Sequence, residues 1–237
     1  MPKARDVRRA VLCLAMLSPL AVAGVAQGVE PAPVTECDTL AQPPKESMGP
    51  IPMVAPGVAI GSMRWPAARA ACAKAMTDFP GEVRFVAYAA RAADKAGDAR
   101  EAARLNKAAA DEGNAVAQNN LGVMYVNGEG GLGRSGREAE RYYRMAAEQG
   151  YPGAQVNLGV MLAQGLGGVP RNDREAVRLF QAAANSGNVD GQNSLGKMYA
   201  EGRGGLPRDL GQAVSLWRSA ADGGSVEARG NLRKAGR

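Results

Sequence analysis

Across residues 115–225 the apolar positions form a pattern that returns every 37 residues. Ala117, Leu121 and Met124 stand at i, i+4 and i+7, and the trios Ala154, Leu158, Met161 and Gly191, Leu195, Met198 repeat them. This spacing lays each trio along one stripe of a helix. It predicts first helices near 115–127, 152–164 and 189–201. A second set, Tyr142/Leu179/Leu216, Tyr143/Phe180/Trp217 and Ala146/Ala183/Ala220, has the same helical spacing and the same period. It predicts second helices near 137–149, 173–186 and 209–222. Glycine-rich loops join each pair over 128–136, 165–172 and 202–208, and Gly113, Gly150, Gly187 and Gly224 end the second helices. A period of this length denotes stacked helix pairs.

One position breaks local helix preference in all three units. Gly122, Gly159 and Gly196 follow the repeated leucines inside the first helices. A mid-helix glycine costs about 1 kcal/mol relative to Ala. Its recurrence predicts that two helices meet there too closely for a Cβ.

Upstream, the pattern predicts helices over Ala67–Asp78 and Glu82–Ala96, and a third capped by Asp98 and ending near Asp111. The step from Gly81 to Gly113 is 32 residues, so this pair is shorter than the later ones. Downstream, Ser225 is placed to cap a last short helix. The chain therefore reads as an all-α solenoid of antiparallel helix pairs, arranged as N-terminal helices over 65–112 and repeats with a capping helix over 113–237.

Residues 1–26 have a different character. A basic start with Lys3, Arg5, Arg8 and Arg9 leads into an apolar run from Ala10 to Ala23, followed by small residues up to Ala26. That is the layout of a cleavable signal peptide. The run is too short for a comfortable membrane span and carries Pro19. No membrane span is expected in the mature chain. The formal charge of the whole chain is +6, and +3 of it falls in these residues, so the basic balance is weak evidence for a nucleic-acid partner. Residues 27–64 read as a Pro-rich extended arm.

Cleavage leaves Cys37 and Cys72. In an oxidising compartment an even pair favours a disulfide, against the alternative of two free structural thiols. The chain contains no His, which removes His-based triads and most zinc sites. No cofactor, metal or catalytic residue is expected. Gly128, Gly130 and Gly133 satisfy G-x-G-x-x-G, but a helix precedes them where a dinucleotide site needs a strand. Glu138 and Glu140, an acid pair at i and i+2, point away from each other on a helix and cannot share a substrate.

The run Ala-Gln-Asn-Asn-Leu-Gly-Val-Met-Tyr at 117–125, its glycine-rich loop and Glu-Ala-Glu-Arg-Tyr-Tyr-Arg-Met-Ala-Ala-Glu-Gln-Gly at 138–150 resemble the Sel-one-like repeat family, relatives of tetratricopeptide repeats. The likeness covers roughly residues 81–234. It implies a right-handed superhelix of antiparallel helix pairs that scaffolds protein–protein contacts, often in secreted or periplasmic bacterial proteins. The segments Cys37-Asp-Thr-Leu-Ala and Ala71-Cys72 resemble an N-terminal extension of exported members. Some cysteine-rich relatives are linked to penicillin binding and carry a disulfide in every repeat. This sequence has no cysteine after Cys72, so that activity is not implied.

In such solenoids the first helices line the concave side. Positions that repeat in place but change in kind are then the candidate contacts: Val116, Asn120, Val123 and Asn127; Gly153, Asn157, Val160 and Gln164; Asp190, Ser194, Lys197 and Glu201. Asn120, Asn157 and Ser194 are expected to bond an extended partner backbone, with Val123 and Val160 giving apolar contact. Arg134, Arg171 and Arg208 mark one loop edge, for local bonding or for an acidic partner. The function expected is a non-catalytic adaptor or regulator, periplasmic or secreted, that binds a protein or peptide of the cell envelope. The rival is a small envelope hydrolase.

Overall fold

The computed structural model describes residues 34–41, 65–79 and 82–236, so the expected signal peptide and most of the Pro-rich arm lie outside the described residues. Within these residues all regular structure is helical. The helices are α1 (Glu36–Ala41), α2 (Trp65–Asp78), α3 (Val83–Lys95), α4 (Ala99–Asp111), α5 (Ala115–Asn127), α6 (Gly136–Glu148), α7 (Pro152–Gln164), α8 (Asp173–Asn185), α9 (Val189–Glu201), α10 (Leu210–Asp222) and α11 (Val226–Lys234). Each packs on the next from α1 to α5 and onward to α11, which makes a solenoid of helix pairs. The three first helices have the bounds read from the sequence; among the second helices α8 and α10 differ from that reading by one residue at one end, and α6 by one residue at each end.

Local chemistry sets these boundaries. Side chains of Asp98, Asn114, Ser135, Asn172, Asn188, Asp209 and Ser225 each accept a bond from the backbone N–H three residues on. Gly128, Gly165 and Gly202 end the first helices in the left-handed region, where a Cβ is unfavourable.

The core follows the predicted stripe. Leu121, Leu158 and Leu195 are each 1% exposed. The glycine beside each leucine faces a ring of the paired helix. A Cβ on Gly122 would stand 2.4 Å from Tyr143, on Gly159 2.5 Å from Phe180, and on Gly196 2.6 Å from Trp217. The Trp217 indole N–H also donates to the Asn193 carbonyl at 3.1 Å. Burial pushes the Tyr143 phenol up to about 12.

The loops do more than reverse the chain, which the sequence reading had not foreseen. The middle glycine of each loop seats on the start of the preceding second helix. A Cβ on Gly130 would lie 2.5 Å from the Ala99 carbonyl, on Gly167 2.7 Å from Gly136, and on Gly204 2.5 Å from the Asp173 carbonyl. Successive repeats are thus clamped backbone to backbone.

The N-terminal end corrects one expectation. Inside the segment read as an extended arm, Glu36–Ala41 is helical. Thr35 starts it: its backbone N–H donates to the Asp38 carboxylate at 2.7 Å, and the Asp38 N–H to the Thr35 hydroxyl at 3.4 Å. This reciprocal cap is legible as Thr-x-x-Asp but is overshadowed by the neighbouring prolines. Cys37 and Cys72, both buried, form a disulfide that ties α1 to α2. The buried carboxylate of Asp38 lies 3.4 Å from Arg84 and ties α1 to α3.

Two predictions follow from the packing. Gly159→Ala should lower the midpoint of thermal unfolding, because overpacking against Phe180 by about 1–3 kcal/mol exceeds the gain in helix propensity. Adding Phe180→Leu should recover part of the loss, read by circular dichroism. Replacing Cys37 and Cys72 together by Ser should remove about 3–4 kcal/mol of constraint on the 35-residue separation. Amide hydrogen exchange should show the protection loss concentrated in α1 and α2.

Candidate protein-binding face

Successive first helices touch one another as well as their own partners, α3 with α5 and α7 with α9. Their remaining faces carry the strip of positions singled out in the sequence. On it Val116, Asn120, Val123, Gly153, Asn157, Val160, Ser194 and Lys197 are half-buried, and Asn127, Gln164, Asp190 and Glu201 are exposed. Val123 and Val160 rest partly on the core of the central repeats, which leaves one side of each valine available.

Two of the asparagines expected to contact a partner are bonded within the chain. The Asn120 amide donates to the Asn106 side chain at 3.3 Å, and the Asn157 amide donates to Asn119 at 2.9 Å. Asn231, at the same position in α11, donates to Asn193 at 2.8 Å. The ladder therefore ties neighbouring elements of the solenoid together, with one N–H of each of these amides bonded within the chain. Asn127 donates to Glu129 at 2.9 Å. Lys197 is held by Glu227, which also accepts from Asn193 at 3.0 Å. The C-terminal part of the strip is a closed ionic set.

Sequence reading missed part of this strip. Shifted back by the shorter 32-residue step, its positions fall on Arg84, Tyr88, Arg91 and Lys95 of α3. The buried sides of the two helices are in register under that shift: Phe85, Ala89, Ala90 and Ala92 match Ala117, Leu121, Gly122 and Met124, and all are buried. The signal was available in the step between Gly81 and Gly113. A second missed residue is Tyr151. It takes the N-cap position of α7, where Asn114, Asn188 and Ser225 supply a capping oxygen elsewhere, and makes no cap bond.

On the loop edge, Arg134 and Arg208 donate to the carbonyls of Val126 and Ala200, at 3.1 and 3.2 Å, each eight residues back. Arg171 instead pairs with Asp173 at 2.7 Å. The Ala163 carbonyl, at the corresponding place, receives Arg203 of the next repeat at 2.6 Å. Arg203 also holds Asp173 at 2.8 Å. Hydrogen bonds from Arg171 and then Arg203 hold the Asp173 carboxyl well below the usual carboxylate range. Arg134, Arg171 and Arg208 thus bond locally at their loops, and Arg203 joins one repeat to the next.

Among the described residues no group of three His, Cys, Asp or Glu is placed to hold a metal, and no helix is long and apolar enough to cross a membrane.

Comparison with known families matches the Sel1 repeat to residues 115–151, 152–188 and 189–225, which are the pairs α5–α6, α7–α8 and α9–α10 with their connections. The chain carries three consecutive Sel1 repeats. Solved structures agree. A Sel1 repeat protein from Oxalobacter formigenes is 26% identical, with a TM-score of 0.63 over 70% of this chain and 66% of its own. The Escherichia coli protein c5321, described as a protective antigen of uropathogenic strains with this fold, is 29% identical, with a TM-score of 0.61 over 70% of this chain. The match spans 35% of that protein's length. The search of curated proteins gives no match. Sel1 repeats generally form non-catalytic scaffolds and typically mediate protein–protein interaction.

In this Sel1 array the double substitution Asn120→Ala with Asn157→Ala should lower stability by about 1–3 kcal/mol, because each removes one link of the ladder. Urea unfolding would measure it. An unchanged midpoint would return these amides to the role of partner contacts.

Proposed function

We propose that this chain is an exported, non-catalytic adaptor or regulator of the bacterial envelope, and that the strip along its first helices holds an extended segment of a partner protein. One observation carries the reading. Beside a core stripe that repeats in place and kind, the strip keeps its positions and changes its residues, from Val123 and Val160 on to Lys197 and from Asn127 to Gln164 to Glu201. Packing explains the first behaviour, whereas a binding surface adapted along its length explains the second. The buried Cys37–Cys72 bridge is consistent with an oxidising compartment, as is the basic and apolar start of the sequence.

Since one N–H of each asparagine amide is bonded within the chain, partner contact falls chiefly to the half-buried Val123 and Val160 and to the exposed Gln164, with Ser194 at the far end. The combination Val123→Lys with Val160→Lys places two charges on the apolar centre of the strip while leaving the long side chains free to reach water. Affinity capture from envelope extract should yield a specific protein with the wild type and lose it with this variant. Circular dichroism should show retained helix content. Capture of the same protein by both would reject the strip as the binding surface.

A further inference from the structure

The edge of the solenoid where the glycine-rich loops reverse the chain carries charge that the fold itself does not use. Arg100, Arg137 and Arg174 recur every 37 residues, each as the second residue of a second helix, α4, α6 and α8. All three are exposed, and none has an ion pair or side-chain hydrogen bond among the described residues. A cation in the first turn of a helix also opposes the helix dipole. The acids of these turns are matched elsewhere: Glu101 pairs with Arg104 at 2.7 Å, Glu138 with Arg141 at 2.8 Å and Glu175 with Arg144 at 2.5 Å. Three helices thus break the same local preference without compensation inside the chain, which points to a group outside it. Arg134 and Arg208 add to the edge, since they reach carbonyls through Nε alone and keep their charge on exposed side chains. The same edge presents apolar surface. Among the described residues five large apolar side chains are exposed, and three of them lie here: Val126 near the end of α5, Leu166 in the loop after α7 and Leu210 at the start of α10. Each belongs to a different repeat.

We infer that this edge rests on the surface of a bilayer containing anionic phospholipid, with the arginines on headgroup phosphates and Val126, Leu166 and Leu210 in the interfacial layer. A guanidinium meets a phosphate through paired N–H bonds, and each cation near an anionic leaflet adds to its attraction. Apolar side chains beside such cations are the combination an interfacial surface needs. The spacing favours a bilayer over an acidic protein. Apolar residues set singly, one in each repeat, form no continuous patch for the core of a protein interface, but each can enter a fluid interface by itself. Among the described residues no helix is long and apolar enough to cross a membrane, so the contact is one of lying on the surface. This edge is separate from the strip on the first helices, and either assignment can fail alone. Together they hold a strip-bound protein beside the membrane.

The test uses the chain without residues 1–26, whose basic and apolar stretch would bind lipid by itself; every described helix lies beyond them. Co-sedimentation is measured with vesicles of phosphatidylcholine alone and of phosphatidylcholine mixed with phosphatidylglycerol. Three proteins are compared: wild type, Arg100→Gln with Arg137→Gln and Arg174→Gln, and Leu166→Ser with Leu210→Ser. Wild type should favour the phosphatidylglycerol vesicles by about tenfold or more, and added salt should reduce this preference. The arginine variant should lose the preference while its thermal midpoint stays equal to or above that of wild type. The leucine variant should bind more weakly at every salt concentration. Equal partition of wild type onto both vesicles, or an undiminished preference in the arginine variant, would overturn the assignment. A lowered midpoint in the arginine variant would give these residues a role in folding and remove the case for an outside group. Soluble polyglutamate is titrated in parallel: binding to it without binding to vesicles identifies an acidic protein as the occupant and rejects the bilayer.

Discussion

The contact on which the rest of the fold depends is an aromatic ring seated on a backbone that has no Cβ. Gly122 under Tyr143, Gly159 under Phe180 and Gly196 under Trp217 set the distance between the two helices of each pair. A glycine inside a helix costs about 1 kcal/mol, and burying a large side chain contributes roughly 1.5–3 kcal/mol. The exchange favours the close approach. Close pairing also fixes where the outer sides of the first helices lie, and hence the strip on which binding is proposed.

Pairs must then be held to each other, and two devices do this without large side chains. Loop glycines seat on the preceding second helix, backbone against backbone. Asparagines tie the first helices to their neighbours in the preceding unit, from Asn120 to Asn106, from Asn157 to Asn119 and from Asn231 to Asn193. The second repeat departs from the others at its loop, where Arg171 turns to Asp173 and Arg203 takes the vacated Ala163 carbonyl. One change of bonding within a loop becomes a link between repeats. In an array where each unit contacts only its neighbours, such links determine how far local unfolding spreads.

Most of the helical framework was legible because its signals are local or periodic. The stripe of Leu121, Leu158 and Leu195, the capping residues and the terminal glycines act within a few residues of sequence, and the period multiplies each signal. The positions of the proposed strip were legible, but their bonding was not. Helical spacing places Asn120 and Asn157 on one face, yet whether their amides meet solvent or a neighbour depends on the distance to the next helix, which no pattern in one helix contains. The loop glycines illustrate the same limit: turn chemistry explains Gly128 as a helix end, while the docking of Gly130 on Ala99 is a contact between units. Helix α1 was hidden by the prolines around it, although its Thr35 and Asp38 cap is a local signal. The α3 positions escaped because the first pair runs on a 32-residue step and not the 37-residue one.

The N-terminal end shows how the array is closed. A solenoid needs its terminal units covered, since the first helix pair otherwise exposes an apolar side. Helix α1 provides the cover, fixed to α2 by the Cys37–Cys72 bridge and to α3 by Asp38 and Arg84. That cover supplies a carboxylate to Arg84, so the clasp that seals the end of the solenoid is held to α2 by a covalent bond and to α3 by a buried ion pair.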